Sequence, residues 1–379
     1  MKLNHDEIKR YSRHLIMPEV GMKGQEKLKG ASVLIIGAGG LGCPLSLYLA
    51  AAGIGKIGLV DFDTIDFSNL QRQVIYNTED VGKYKADVAA AKIKAMNPNM
   101  EVDVYKTAFT SANAHEISAG YDILIDGTDN FPTRYLVNDL AIITKRPNVF
   151  GSVFRFDGQV TVFDGEKGPC YRCLYPDPPP PGMVPNCAEG GVLGVLPGIV
   201  GVAQATEAIK LVTGNGDPLI GRLLSFDALA MKFRELKIRK DPNCPVCGSN
   251  PAVTELIDYE HFCGVGIIDN ASDELPEILP ERVKKLLEQV SEPFLLDVRN
   301  PHEWDICMHP KAIGIPLGEL ADRFNEVPKK REIITVCHKG GRSKTAQQML
   351  VDSGFENVIN MKGGMDLWAV TIDPEMPRY

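Results

Sequence analysis

The chain has 379 residues, of which 44% are hydrophobic and 24% are charged, so it carries enough apolar material for two or three globular domains. Lys and Arg number 41 against 49 Asp and Glu, and the formal net charge of −8 argues against a general nucleic-acid or anionic-membrane binder. No apolar stretch reaches the length of about 20 residues that a membrane span needs, and the first residues lack the apolar core of a secretion signal. The sequence therefore predicts a cytoplasmic protein.

Short apolar strands alternate with helical segments through the first two thirds of the chain. The pattern predicts strands at residues 32–36, 57–60, 121–126, 148–153 and 159–164, two more within 222–239, and helices at 45–52, 84–96 and 197–213. Continuous apolar strands that alternate with helices are typical of a sheet covered on both faces. We therefore predict a doubly wound, mostly parallel α/β domain over residues 1–252.

A second, smaller alternation begins near residue 273, after a predicted linker at residues 253–272. It comprises a helix at 280–289, strands at 294–298 and 332–337, and a helix at 343–352. This length suffices for one small α/β domain over residues 273–379. Within the first domain, the proline-rich stretch 176–185 predicts an exposed loop, because proline lacks the amide hydrogen that helices and central strands require.

The first strand runs directly into GAGGLG, which contains Gly37, Gly39, Gly40 and Gly42. Three of these glycines form GxGxxG between a strand and a helix, where backbone amides and the helix N-terminus can approach a phosphate. Asp61 ends the next strand and is placed to accept a hydrogen bond from a ribose hydroxyl. The pattern predicts a Rossmann-like nucleotide site rather than a structural glycine turn. NAD is the default occupant of such a motif, and the motif alone leaves the nucleotide open.

Charged residues after the later strands favour a triphosphate. Arg72 lies in SNLQRQ, Lys85 lies on the next helix, and Asp129 lies in GTDN just beyond a strand. Two cations and a carboxylate can hold a triphosphate and Mg²⁺, whereas a hydride transfer has no evident use for them. Any one of them alone could be a solvated surface charge, so the argument rests on their combination.

Nine cysteines in a long chain without a secretion signal point to metal or thiol chemistry rather than a disulfide framework. CYRC and CPVC supply two CxxC pairs, whose four thiolates would close a tetrahedral, structural Zn²⁺ site. The four candidate ligands are Cys170, Cys173, Cys244 and Cys247. The alternative is two reducible or merely buried thiol pairs.

Cys337 ends an apolar strand and opens CHKGGR, directly before a helix. Amides at a helix N-terminus, with His338, Lys339 and Arg342 close by, should favour a thiolate or persulfide anion. A structural cysteine at a strand end is the simpler alternative. The same strand-loop-helix geometry occurs in phosphatases, but a phosphatase would also need a general acid.

Motifs over residues 5 to 250 resemble the ThiF/MoeB family of adenylyltransferases, relatives of ubiquitin-activating enzymes that act on small ubiquitin-like sulfur carriers. They are RYSRH, GAGGLG, DFD, SNLQRQ, GTDN and NCAEGGVLG. The resemblance implies that ATP is contacted by Arg13, Asn69, Arg72 and Lys85. It also implies that Asp61 contacts the ribose, that Asp129 binds Mg²⁺, and that zinc is bound at the four cysteines. Arg13 would reach the neighbouring subunit's site, which implies a homodimer.

The resemblance gives a role to Cys187 as well. In the family, the loop that carries NCAEGG crosses over the substrate tail, and a cysteine there can link covalently to the carrier or take part in sulfur transfer. The alternative is an exposed spectator thiol. Farther on, LLDVRNPHEW, IPLGEL, CHKGGR and MKGGMDLW resemble the rhodanese domain over residues 274 to 379, with Cys337 as the cysteine that carries sulfur.

These resemblances predict ATP-dependent adenylation of the C-terminal glycine of a ubiquitin-like sulfur-carrier protein that ends in Gly-Gly. Sulfur from a Cys337 persulfide would then convert it to a thiocarboxylate, as in the adenylyltransferase/sulfurtransferase proteins of molybdopterin synthesis. The carrier's pathway stays open among molybdenum cofactor, thiamine, tRNA thiolation and cysteine synthesis. The sulfur donor stays open between thiosulfate and a cysteine desulfurase.

Two alternative functions remain at this stage. A nicotinamide-dependent oxidoreductase is supported only by the glycine motif. A zinc-stabilised scaffold that binds a ubiquitin-like partner without catalysis is compatible with the same motifs. Neither nucleic acid nor a membrane is an expected partner.

Overall fold

The computed structural model describes residues 2–179, 190–264 and 275–379. The chain divides into two compact units, Met1–Ile267 and Ile268–Tyr379, and each unit has its own sheet and apolar cores. Within the described ranges, every helix is too short or too polar to cross a membrane.

The first unit is built on an eight-stranded sheet with the order β3-β2-β1-β4-β5-β6-β7-β8. Its strands are β1 (Ser32–Ile36), β2 (Lys56–Val60), β3 (Glu101–Tyr105), β4 (Ile123–Asp126), β5 (Asn148–Phe154), β6 (Asp157–Phe163), β7 (Arg222–Asp227) and β8 (Lys232–Lys237). The strands from β3 to β5 pair in parallel, and those from β5 to β8 pair antiparallel. The predicted mostly parallel sheet is confirmed.

Helices cover both faces of this sheet. They are α1 (His5–Arg10), α2 (Ser12–Leu15), α3 (Gly21–Gly30), α4 (Gly42–Ala52), α5 (Lys85–Met96), α6 (Ala114–Ser118), α7 (Phe131–Ile143), α8 (Tyr171–Leu174), α9 (Leu196–Thr213) and α10 (Tyr259–Phe262). Alternate residues of β1 enter different cores, Val33 with α4, α5 and α9, and Leu34 with α6 and α7. This two-sided burial is why the strand reads as an unbroken apolar run.

The position of β1 determines where a ligand can bind. It pairs with β2 on one side and with β4 on the other, so the order of the strands reverses there. The segments that leave β1 and β4 therefore turn towards opposite faces and leave a crevice beyond the carboxyl ends of the two strands. Doubly wound sheets bind ligands in this crevice.

The start of the predicted linker, residues 253–264, packs against the first unit. Tyr259 is buried, and its hydroxyl donates a hydrogen bond to Asp139 Oδ2 at 2.9 Å. Leu256, Ile257 and Phe262 pack against the same core as α7. The packed chain thus continues past the change in composition near residue 251, and residues 265–272 of the predicted linker lie outside the described residues.

The second unit contains a five-stranded parallel sheet with the order β11-β10-β12-β13-β9. Its strands are β9 (Glu277–Ile278), β10 (Phe294–Asp297), β11 (Ala312–Gly314), β12 (Ile333–Val336) and β13 (Val358–Met361). Its helices are α11 (Pro280–Leu287), α12 (Pro301–Trp304), α13 (Gly341–Asp352) and α14 (Gly364–Thr371). The central strand β12 leads directly into Cys337, which places this residue at the carboxyl end of the sheet.

Candidate functional sites

The GAGGLG segment forms a tight turn between β1 and α4. Gly37 has a φ of +97°, and a Cβ added there would lie 2.7 Å from the carbonyl oxygen of Gly127. A Cβ on Gly42 would lie 2.0 Å from the carbonyl oxygen of Gly37. Only glycine fits at these two positions. A Cβ added to Gly39 would make only an ordinary van der Waals contact, with Gln73 Nε2 at 3.7 Å. Gly39 is therefore the position where a phosphate can approach the backbone.

Asp61 directly follows β2 and faces this turn. Its Oδ2 accepts a hydrogen bond from the backbone N–H of Ala38 at 2.8 Å, and its Oδ1 accepts one from the N–H of Asp63 at 2.8 Å. Burial raises the pKa of the Asp61 carboxyl, while nearby Lys85 and the two N–H groups act in the opposite direction. The carboxylate is thus fixed beside the glycine turn, where a ribose contact was predicted.

Lys85 is the first residue of α5. It is buried and forms an ion pair with Asp63. Lys85 Nζ lies 2.8 Å from Asp63 Oδ2, and the backbone N–H of Lys85 donates to the carbonyl of Asp63 at 3.0 Å. Asp63 belongs to the DFD motif, but no role was predicted for it. The lysine that was predicted to contact ATP is therefore paired with a carboxylate.

Arg72 and Asn69 lie in the segment after β2. Asn69 Oδ1 accepts a hydrogen bond from the N–H of Asp66 at 3.1 Å, which closes a short helical turn. An Arg72 guanidinium N–H donates to the carbonyl of Ser68 at 3.2 Å. Arg72 Cγ lies 3.7 Å from the position of a Cβ on Gly40, so the structure brings Arg72 against the glycine turn.

The GTDN segment follows β4, which pairs with β1 on the side opposite to β2. It therefore lies beside the glycine turn that follows β1. Asp126 is fully buried, and its Oδ1 accepts hydrogen bonds from the N–H of Thr128 at 2.9 Å and from Thr128 Oγ1 at 2.6 Å. Arg134 of α7 places Nε 3.6 Å from Asp126 Oδ2 and donates to the carbonyl of Thr128 at 3.0 Å. These contacts fix the turn that presents Asp129, whose side chain is exposed.

Arg13 is the predicted ATP contact that the structure does not bring to the glycine turn of its own chain. It lies exposed on α2, and its neighbour His14 places Nδ1 2.9 Å from Gln25 Oε1. Gln25 in turn donates to the carbonyl of Ala52 at 2.7 Å. Ala52 is at the C-terminal end of α4, whereas the glycine turn is at its N-terminal end.

The four predicted zinc ligands come together in one cluster, and all their sulfur atoms lie within 4.8 Å of one another. The Sγ atoms of Cys170 and Cys244 are 3.5 Å apart, those of Cys170 and Cys173 are 4.0 Å apart, and those of Cys173 and Cys247 are 3.4 Å apart. Four thiolates at about 2.3 Å from a tetrahedral Zn²⁺ would be roughly 3.8 Å from one another. The cluster therefore fits zinc, and no ligand position remains open for substrate.

Cys337 lies at the start of a loop whose backbone two elements hold in place. Its Sγ accepts a hydrogen bond from the N–H of Gly340 at 3.2 Å and lies 3.3 Å from Ser343 Oγ. From the N-terminus of α14, the N–H of Met365 donates to the carbonyl of Cys337 at 2.8 Å. A Cβ on Gly364 would lie only 2.3 Å from that carbonyl oxygen, so the second glycine of MKGGMDLW is needed for this close approach.

Two of the residues predicted to favour an anion on Cys337, Arg342 and His338, also contact other side chains. Arg342 forms a bidentate ion pair with Glu303, with both N···O distances at 2.7 Å, and this pairing raises the pKa of Arg342. Burial lowers the pKa of His338, and its ring stacks on Tyr379 with the ring centres 4.2 Å apart. The charge of Arg342 is therefore largely compensated by Glu303, and burial disfavours the charged form of His338. The N–H of Gly340 and the hydroxyl of Ser343 are the donors that the structure places within hydrogen-bond distance of Cys337 Sγ.

Cys187 lies outside the described residues, so its predicted role rests on the sequence alone.

Comparisons with known proteins agree with this geometry. Residues 11–246 match the ThiF family, and residues 279–371 match the rhodanese-like domain. The chain belongs to the ThiF family. "Probable adenylyltransferase/sulfurtransferase MoeZ" of Mycobacterium tuberculosis is 47% identical over 386 residues, which cover 100% of this chain and 96% of that protein. "Adenylyltransferase and sulfurtransferase MOCS3" of Drosophila yakuba is 43% identical over 394 residues, which cover 100% and 86%.

Solved structures resemble the ThiF part of the chain. E. coli MccB, crystallised with AMPCPP and selenomethionine MccA, has a TM-score of 0.55 and 25% identity, covering 63% of this chain and 74% of that chain. MccB crystallised with MccA-N7isoASN has a TM-score of 0.58 at 24% identity, covering 63% and 75%, and shows the shared fold alone. The matched ThiF residues carry the glycine turn and three of the four clustered cysteines, with Cys247 directly after the match, and the matched rhodanese-like residues carry Cys337.

The cysteine cluster should hold one zinc ion that stabilises the ThiF part. We expect Cys244→Ser to release the zinc and to lower the midpoint of thermal unfolding, followed by circular dichroism, by on the order of 10 °C, because metal binding is coupled to folding. Cys263→Ser is the matched control, since Cys263 is buried outside the cluster. It should keep one zinc per chain by elemental analysis. Full zinc retention in Cys244→Ser would contradict the assignment.

The Glu303–Arg342 pair should make the rhodanese-like part sensitive to acid. Burial alone raises the pKa of Glu303, but hydrogen bonds from Arg342 and the N–H of Asn300 outweigh it and hold the pKa at about 2, against 4.5 ordinarily. A depressed carboxyl pKa contributes stability above the unfolded-state value, and this stability is lost as pH falls through the folded-state value. Between pH 4.5 and about 2, the wild type should therefore lose on the order of 2 kcal/mol more unfolding free energy than Glu303→Gln.

The two tryptophans of the chain, Trp304 and Trp368, both lie in the second unit, so their fluorescence during urea unfolding reports on that unit within the full chain. Glu319→Gln, which removes an exposed ion pair with Arg323, should follow the wild type. Parallel pH profiles for the wild type and Glu303→Gln would show that Glu303 titrates normally.

Proposed function

We propose that this chain uses ATP to adenylate the C-terminal glycine of a ubiquitin-like sulfur-carrier protein ending in Gly-Gly, and then converts it to a thiocarboxylate with sulfur from Cys337. The observation that carries the proposal is the presence in one chain of a ThiF domain and a rhodanese-like domain with a buried cysteine at its carboxyl edge. Full-length relatives named as adenylyltransferases and sulfurtransferases support both activities.

Adenylation needs charge compensation rather than a general base. A carboxylate oxygen of the carrier attacks the α-phosphorus of ATP, and pyrophosphate leaves. The nucleophile is already ionised, so the main barrier is the approach of two anions. Arg72 and Lys85 would compensate this charge, with the phosphates taking Lys85 from Asp63. Asp129 would hold Mg²⁺, which supplies further positive charge at the phosphates.

Sulfur transfer uses Cys337 in four steps. Its thiolate first takes the outer sulfur of a donor, which is thiosulfate or the persulfide of a cysteine desulfurase. The terminal sulfur of the resulting persulfide attacks the acyl carbon and releases AMP, which leaves an acyl disulfide. A thiol, from Cys187 or an external reductant, then attacks Cys337 Sγ and releases the thiocarboxylate. A second thiol reduces the mixed disulfide and restores the Cys337 thiolate.

We further propose a cytoplasmic homodimer in which Arg13 of each subunit completes the ATP site of its neighbour. The exposed position of Arg13, at the opposite end of α4 from its own glycine turn, is consistent with this arrangement. The adenylyltransferase domain would comprise residues 1–252 and the rhodanese domain residues 273–379. Carriers of molybdenum cofactor, thiamine, tRNA thiolation and cysteine synthesis are all candidate substrates.

Neither alternative function accounts for the site equally well. A nicotinamide-dependent oxidoreductase has no use for Lys85 at the start of α5, for Asp129 after β4, or for a buried cysteine whose sulfur accepts a hydrogen bond from the N–H of Gly340. A non-catalytic scaffold would leave the buried Lys85, with its partner Asp63, and the Cys337 loop without a function.

Mass spectrometry of candidate carriers tests the proposal. Each purified carrier is incubated with the full chain, Mg-ATP, a thiol and either thiosulfate or a cysteine desulfurase with cysteine. At least one carrier should gain the mass difference between sulfur and oxygen, and omitting ATP should prevent the gain. Hydrolysis of ATP to AMP without a mass change in any Gly-Gly carrier would contradict the sulfur-transfer step.

A further inference from the structure

The sulfur atom of Cys337 has a side-chain hydrogen-bond donor beside it as well as a backbone donor. Ser343, in the first turn of α13, places Oγ 3.3 Å from Cys337 Sγ, and the N–H of Gly340 lies 3.2 Å from the same sulfur. Cys337 is 2% exposed and Ser343 is 0% exposed, so bulk water does not compete for these contacts. A hydrogen bond to a charged acceptor is stronger in such a buried place than at the surface.

Asn360 on β13 determines where the Ser343 proton points when the sulfur is neutral. Asn360 Oδ1 lies 2.7 Å from Ser343 Oγ, and Asn360 Nδ2 donates to Glu277 Oε1 at 3.1 Å. Because an ionised Glu277 can only accept, the amide is held with its oxygen towards Ser343. The single Ser343 proton thus has Asn360 Oδ1, the Gly340 carbonyl at 3.1 Å and Cys337 Sγ within reach.

We propose that Ser343 is a further catalytic residue of the sulfur-transfer reaction, whose hydroxyl donates to Asn360 when Cys337 is neutral and turns to donate to Sγ when Cys337 is a thiolate. The inference rests on the proposed function for the reaction that it serves. It adds a side-chain donor in direct contact with Sγ, whereas the guanidinium of Arg342 is paired with Glu303.

During the loading step, the Ser343 hydroxyl donates to Cys337 Sγ only while this sulfur carries the negative charge. The thiolate Sγ attacks the outer sulfur of the donor, and a new S–S bond forms as the donor's bond to that sulfur breaks. The electron pair of the broken bond leaves with the donor fragment, which is sulfite when the donor is thiosulfate. Sγ becomes neutral, and the Ser343 proton returns to Asn360. Stabilising the thiolate increases its population at neutral pH, which sets the rate of this step.

The pH profile of Cys337 alkylation in the full chain tests this role. Iodoacetamide modification of the Cys337 peptide is followed by mass spectrometry, and the pH of half-maximal rate is compared among variants. Ser343→Ala should raise this pH by about one unit or more, because it removes a hydrogen bond to a charged group. Asn360→Ala removes the competing acceptor and should lower it. Ser353→Ala, at the end of the same helix, is the matched control and should not change it.

These opposite directions separate a catalytic role from a structural one, since loosening the loop would move both variants the same way. None of the charged groups around the loop, Lys339, Arg342, Glu303 and Asp366, is altered. An unchanged profile in Ser343→Ala, or a higher pH of half-maximal rate in Asn360→Ala, would overturn the inference. If Ser343→Ala does not fold, the direction in which Asn360→Ala shifts the pH of half-maximal rate decides the test. The assay needs no carrier, so the predicted shifts without any thiocarboxylate would refute the proposed function and leave the role of Ser343 intact.

Discussion

Replacing Cys337 by alanine should abolish thiocarboxylate formation while carrier-dependent exchange of pyrophosphate into ATP stays within about twofold of the wild type. The reason is that the two half-reactions use different residues. In the proposed mechanism, pyrophosphate exchange uses the glycine turn with Arg72 and Lys85, all in the ThiF domain, whereas Cys337 lies in the rhodanese-like domain. Labelled pyrophosphate measures the first activity, and the mass of the carrier measures the second.

Cys307→Ala is the matched control for this substitution, because Cys307 is a partly exposed cysteine in the same unit. It should retain both activities. Loss of both activities in a Cys337→Ala chain with native tryptophan fluorescence would contradict the division of labour between the two domains.

Replacing Lys85 by methionine should lower the rate of pyrophosphate exchange by on the order of 10²-fold, as expected for the loss of one charged group at the reacting phosphates. The effect on the sulfur loading of Cys337 from thiosulfate should be negligible. Asp63→Asn should lower the rate of pyrophosphate exchange by less than about tenfold. It removes the carboxylate that pairs with Lys85 but leaves the lysine itself in place.

Lys92→Met provides the control for the Lys85 substitution. Lys92 lies on the same helix and also forms an ion pair, with Nζ 2.6 Å from Asp80 Oδ2, but at a distance of two helical turns from Lys85. This variant should keep its exchange activity even where it loses stability. Similar exchange rates in Lys85→Met and Lys92→Met would show that Lys85 does not serve the phosphates.

The parts of the fold that could be predicted are those where burial leaves a simple pattern. β1 is an unbroken apolar run because both of its faces are covered, and α4, α5 and α9 follow the strands with clear helical spacing. β3 was missed because EVDVY is a half-exposed edge strand with charged residues. α7 was missed because Asn138 and Asp139 suggest a surface, whereas both are fully buried and Asp139 is paired with Arg172.

Some features of the candidate sites could also be predicted from the sequence, and others could not. Glycine spacing, paired CxxC motifs and residues at strand ends follow from chemistry that is local in sequence. Asp63 with Lys85, and Glu303 with Arg342, are partners separated by 22 and 39 residues, and nothing in the spacing shows which charge pairs with which. For this reason Arg342 was assigned to the Cys337 anion, while the structure pairs it with Glu303. The roles of Ser343 and Asn360 likewise depend on a contact between neighbouring elements of the fold.

The most direct test of the account follows an oxygen atom from the carrier to AMP. A carrier whose terminal carboxylate is labelled with ¹⁸O is incubated with the full chain, Mg-ATP, a thiol and a sulfur donor, and the AMP is analysed by mass spectrometry. If the carboxylate attacks the α-phosphorus and sulfur then displaces AMP, the AMP must carry one ¹⁸O atom for each thiocarboxylate formed. AMP without the label, formed together with thiocarboxylate, would show that the carboxylate never attacked that phosphorus.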